Sequence, residues 1–141
     1  MSGQYGSTKA GTLLRLGKFE EAIAAATDDL ARDAANPEHV FERARAHAAM
    51  ERFDEALADL DQALALDEDA AVLDRDEVDD TYFSTLLQAA RKTAARAPEE
   101  AVASLARYGK VWPSGSHGRD VIEWTRRLRG EVRTEWTKER A

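Results

Sequence analysis

The chain has 141 residues, 43% hydrophobic and 33% charged, with no cysteine and a formal net charge of −7. That length suits one domain with its own core, and the balance is too apolar for a chain that stays unfolded. Disulfides and thiolate metal sites are excluded, and the negative charge disfavours phosphate backbones and anionic lipid, so neither nucleic acid nor membrane is expected as a partner. No apolar run approaches the roughly 18 to 20 residues that cross a bilayer. The start lacks the charged and apolar regions of a signal peptide, so a cytoplasmic location is expected. Charge is uneven: residues 1 to 77 carry eight Lys+Arg and eighteen Asp+Glu, the remainder twelve and nine.

In chain order, a short first helix is expected around Thr8 to Leu16, among Gly3, Gly6 and Gly11. The next element opens with Gly17-Lys18-Phe19-Glu20-Glu21-Ala22-Ile23-Ala24-Ala25. Asn36-Pro37-Glu38 is a helix start, since Asn caps free amides, Pro fits the first turn and the acid suits the dipole. From Phe53 to Leu66, apolar residues at 53, 56, 57, 60, 63 and 64 follow the three-and-four spacing of an amphipathic helix. Acids crowd Asp67 to Asp69 and Asp74 to Glu77, where a loop is expected, because a helix C-terminus disfavours negative charge. The helical pattern resumes near Val78. Tyr82, Phe83, Leu86, Leu87, Ala90 and Ala94 form a stripe that should stop before Pro98. Pro98 opens another helix through Ala101, Leu105 and Tyr108 to about Lys110. Trp112-Pro113-Ser114-Gly115-Ser116 breaks the pattern, with Ser116 as a candidate cap. A final helix is expected from about Gly118 to Glu139. Its apolar face is Val121, Trp124, Leu128, Val132 and Trp136, with Arg119, Arg126, Arg127, Arg129, Arg133, Lys138 and Arg140 around it.

The chain repeats itself. Gly17 to Ala25 aligns with Glu51 to Asp59, and Phe19 with Phe53, Ala22 with Ala56 and Leu30 with Leu64 are each 34 apart. That period, with an aromatic at a helix start and a small residue three positions on, resembles the tetratricopeptide (TPR) family. On residues 37 to 70 the family's large, small and tyrosine positions of the first helix fall on Val40, Ala44 and His47. Those of the second fall on Phe53, Ala56, Leu60, Ala63 and Leu64. Two positions depart from the pattern: the turn glycine, present as Gly17, is replaced by Glu51, and the closing proline by Glu68. The resemblance implies an all-α fold, a right-handed TPR-like solenoid of about three helix pairs with a C-terminal capping helix. Repeat one would span about residues 3 to 36, repeat two 37 to 70, a degenerate repeat three about 77 to 111, and the capping helix about 117 to 139, all in one domain. Each helix pair alone leaves an apolar face uncovered, so stacking on a neighbour is required.

Catalytic chemistry lacks its parts. His39 and His47 are eight apart on one helix, not at the i, i+4 spacing of a zinc pair, and His117 is distant. His47 is expected in the core. No glycine-rich phosphate loop follows a strand pattern. Glu20-Glu21 and Asp28-Asp29 read as solvated surface. No enzyme activity, cofactor or metal is expected. The resemblance places ligand contacts on the first helix of each pair: Ser7, Gly11, Leu14 and Arg15 in repeat one; Glu38, Phe41, Arg45, Ala48 and Ala49 in repeat two; and Gln88 and Lys92 beyond. Phe41 either points into the groove or packs on the following repeat. Ser7, Gly11 and Glu42 stand where some relatives clamp a peptide carboxylate with lysine and asparagine, so that mode is not expected. The implied function is an interaction module, adaptor or chaperone-like, that holds a peptide or helical segment of another protein. The alternative is a self-assembling protein, a homodimer, built on apolar surface left uncovered by the short first helix.

Overall fold

A computed structural model of the protein describes residues 8–130, and every regular element among them is an α-helix. In chain order these are α1 (Lys9–Arg15), α2 (Phe19–Arg32), α3 (Pro37–Ala49), α4 (Phe53–Leu66), α5 (Arg75–Ala94), α6 (Pro98–Val111) and α7 (Gly118–Leu128). Two compact units divide the chain, residues 1–78 and 79–141.

In the first unit α1 packs on α2, α2 on α3, and α3 on α4, while α1 also meets α3. Two helix pairs therefore stand side by side with their first helices adjacent. The contacts are made by small residues. Ala22, Ala26, Ala44, Ala46, Ala56 and Ala63 are all within 1% of full burial, and such side chains let helix axes approach closely. Val40, Phe41 and Leu60, each 0% exposed, fill the remaining space. Asn36 caps α3 as expected, its side chain accepting from the Glu38 N–H at 3.0 Å, with Pro37 in the first turn. Arg43 of α3 grips Asp59 of α4 with two parallel bonds of 2.9 Å. Asp59 is only 6% exposed, so this bidentate pair fixes the angle between the two helices more firmly than a solvated pair does. The bond to Asp59 also raises the Arg43 pKa. His47, in the tyrosine position, is largely buried, and burial lowers its pKa.

The 34-residue period extends to the backbone. Gly17 has φ +76 and Glu51 φ +62. Each turn closes with the same two bonds: Gly17 N–H to Leu14 O and Lys18 N–H to Leu13 O, then Glu51 N–H to Ala48 O and Arg52 N–H to His47 O. This is the paired-bond helix exit that favours glycine at its left-handed residue. Glu51 occupies that conformation against the steric preference of an L side chain. Glu51→Gly is therefore expected to raise stability by about 1 kcal/mol, read as a higher urea midpoint at unchanged slope.

α5 begins at Arg75, three residues ahead of the expected Val78. The Asp74 carboxylate accepts from the N–H groups of Asp76 and Glu77, so these acids sit in the first turn, where the helix dipole favours them. What precedes is organised by Asp67, 4% exposed, whose carboxylate accepts from the N–H groups of Ala71, Val72 and Leu73 at 3.0, 3.1 and 2.9 Å. Arg75 donates to the Asp67 carbonyl.

In the second unit α5 supplies the buried Tyr82, Phe83, Leu86 and Ala90, and α6 supplies Ala101, Leu105 and Tyr108, as the two stripes predicted. α7 packs on α6 and contributes no fully buried residue. It runs to Leu128 among the described residues, with Gly130 at φ +87 just beyond. Val132, Arg133, Trp136, Lys138 and Arg140, expected on the same helix, lie outside the described residues. Ser116 is not its cap. His117 holds that position, and Ser116 instead donates from both its N–H and its hydroxyl to Asp79.

Candidate functional site

A cleft of about 300 Å³ opens in the first unit. Gly11, Leu14 and Arg15 of α1 form one side, Glu42, Arg45 and Ala49 of α3 the other, and Phe19 at the start of α2 the end. α1 has only seven residues, so its placement depends on its cap. The Thr8 hydroxyl accepts from the Gly11 N–H at 2.9 Å and donates to the Glu42 carboxylate at 2.5 Å. One side chain thus begins α1 and binds it to α3. Glu42 is 1% exposed, and burial pushes its pKa above the usual carboxylate range, even though the Thr8 bond and the neighbouring His39 act the other way.

Two guanidinium groups stand on this cleft. Arg45 lies 5.8 Å from the centroid of the Phe41 ring, a cation–π contact that orients it. Arg15 is exposed and donates to the Thr12 hydroxyl at 3.5 Å. Leu14, Phe19 and Ala49 supply apolar wall beside them. Five donors per guanidinium next to apolar surface suit a ligand that brings acceptor oxygens and a hydrophobic stem. Among the described residues, no group of three or more His, Asp or Glu side chains could hold a metal ion. No helix there is long and apolar enough to cross a membrane.

The cleft brings together Gly11, Leu14, Arg15, Arg45 and Ala49 from the residues that the sequence placed on the inner wall. Ser7 lies outside the described residues. Phe41 requires a correction. It is 0% exposed, so its ring belongs to the core and offers no surface to a partner. Its position beside Val40 on a closely packed helix leaves no room for the outward orientation. Glu38 is half-buried in the first turn of α3, its N–H given to Asn36, and Ala48 is half-buried; neither lines the cleft. Gln88 and Lys92 are exposed on α5 in the second unit, Gln88 donating to the Ser84 hydroxyl. Phe19 and Glu42 were not expected as lining residues. The sequence places Phe19 only as the aromatic at a helix start, and it is half-exposed there.

Residues 40–70 match the family model described as tetratricopeptide repeat. Over those residues the chain is similar to a tetratricopeptide repeat. The matched TPR spans nearly all of α3 and the whole of α4, so Glu42, Arg45 and Ala49 of the cleft belong to it, and the residues from α1 and α2 precede it. No curated protein and no solved structure matches the chain. TPR units generally mediate protein–protein interaction and are typically non-catalytic, and the described residues are all-helical, as the resemblance implies.

Proposed function

We propose that the protein is an adaptor or chaperone-like interaction module whose first-unit cleft receives an extended segment of a partner protein. The observation that carries this reading is the convergence of Arg15 and Arg45 on one apolar-walled cleft, in a stretch of chain that is otherwise strongly acidic. Guanidinium groups set beside hydrophobic wall, one of them, Arg45, oriented by the Phe41 ring, are the kind of anchor that dominates protein interfaces. A segment presenting an acidic side chain or a main-chain carbonyl next to an apolar residue fits it, and a basic segment does not.

Peptides selected from a random display library on the full chain provide the test. Arg45→Glu and Arg15→Glu are each expected to weaken the selected peptides by about tenfold or more, with helical circular dichroism intact. Gln88→Ala serves as the comparison and is expected to leave affinity unchanged. Selected peptides indifferent to both arginines would remove the cleft from the function.

A further inference from the structure

Within the second unit, the turn Trp112-Pro113-Ser114-Gly115, closed by the Gly115 N–H on the Trp112 carbonyl, delivers His117 to a cage of charged and aromatic groups. Its Nε2 lies 2.7 Å from Asp80 Oδ1 on α5, and its Nδ1 lies 2.8 Å from Asp120 Oδ2 in the first turn of α7. The ring stacks flat on Phe83 of α5, with centroids 4.3 Å apart and planes 1° from parallel. Tyr108 of α6 meets it edge-on, and the Tyr108 hydroxyl accepts the His117 backbone N–H at 3.0 Å while donating to Asp79. The titratable groups around it are thus Asp79 and Asp80 on α5, Tyr108 on α6 and Asp120 on α7.

The protonation state follows from these distances. An ionised carboxylate only accepts hydrogen bonds. A ring with a carboxylate oxygen within 2.8 Å of each nitrogen needs an N–H on both, which is the imidazolium. A neutral ring could serve one of the two carboxylates and would turn a lone pair on the other. Asp80 and Asp120 have side chains 69% and 49% exposed, so both carboxylates keep contact with solvent while they face the ring. The flat stack on Phe83 also favours a cation over the ring face.

We propose that His117 is a pH-sensitive latch, which as the imidazolium fastens the start of α7 to α5 and on losing one proton releases one of its two carboxylates. Burial acts against the charged ring, but the bonds to Asp80 and Asp120 and the fields of Asp79 and Asp80 outweigh it, so the His117 pKa is raised. A raised folded-state value means that the contribution is complete below the unfolded pKa of about 6.5 and is lost as pH climbs through the higher folded value. The latch is closed in mild acid and loosens on the alkaline side.

The test is an NMR titration of the His117 ring nitrogens in the full chain, with amide-exchange protection of residues 117 to 121 followed over the same pH range. Both nitrogens should be protonated at pH 6 and titrate above 6.5. Protection should fall by about tenfold for each unit by which the folded pKa exceeds the unfolded one. His117→Gln should make that protection independent of pH, and Asp80→Asn and Asp120→Asn should each move the ring's midpoint downward. A ring that titrates at or below 6.5, or protection that falls equally in His117→Gln, would overturn the proposal. Should His117→Gln fail to fold, the two aspartate variants decide: unmoved midpoints refute the latch and lowered ones support it.

Discussion

Phe41→Ala is expected to lower the stability of the first unit by about 3 to 5 kcal/mol, the range found when a fully buried phenylalanine is cut back to alanine. The ring is 0% exposed, and its neighbours Val40 and Ala44 on α3 are also 0% exposed, so nearby groups cannot collapse far into the space it leaves. The Arg45 guanidinium would lose the ring face on which it rests. Natural domains hold only about 5 to 15 kcal/mol in all, so this single change removes a large share. Urea unfolding followed by far-ultraviolet circular dichroism reads it as a drop in midpoint. Phe41→Leu, which keeps most of the volume, should cost far less. A wild-type midpoint in Phe41→Ala would show that the ring is outside the core and return it to the list of groove residues.

Asp79→Ala should have the next largest effect, about 3 kcal/mol or more, in the second unit. The carboxylate is 3% exposed and accepts from the Tyr108 hydroxyl at 2.5 Å, the Ser116 N–H at 3.0 Å and the Ser116 hydroxyl at 3.2 Å. Bonds to a charged acceptor contribute about 1.5 to 3 kcal/mol each, and donors left buried without an acceptor add their own desolvation cost. Tyr108 remains a donor throughout the accessible range because burial, with the bond to Asp79, pushes its pKa up to about 12. All three tryptophans of the chain lie after residue 111, so their fluorescence reports on this unit. The fluorescence-detected unfolding of Asp79→Ala should shift to lower urea. Gly115 belongs to the same arrangement: a Cβ there would lie 2.2 Å from the Tyr108 hydroxyl oxygen and 2.8 Å from the Trp112 Cβ. An unchanged transition in Asp79→Ala would mean that solvent replaces the carboxylate.

The features that sequence reasoning found are those set by spacing along one helix or by the repeat. Phe19 and Phe53 start their helices, Ala22 and Ala56 are buried, and α4 runs over the residues its periodicity marked. Arg15, Arg45 and Ala49 meet because two helices 34 residues apart in sequence stand adjacent. What escaped the sequence depends on which side of a helix meets which neighbour. Phe41 lies one position from Val40, and periodicity alone left it on either side of the boundary between groove and core. No local pattern links Glu42 to Thr8, 34 residues earlier, which donates to it. The acids before α5 looked like a helix-ending run because nothing in the composition identifies Asp74 as the cap. Asp79, Tyr108 and Ser116 are separated by 29 and 37 residues, and no local pattern links them.

The Asp67 carboxylate has a further consequence. Its grip on three successive amides dictates how many residues fit between the exit of α4 and the entry of α5. That stretch is a gauge block, a piece of set length, and not slack that absorbs insertions. One added residue would pull the amides off the carboxylate and shift Val78, 0% exposed, out of its buried place in the first unit.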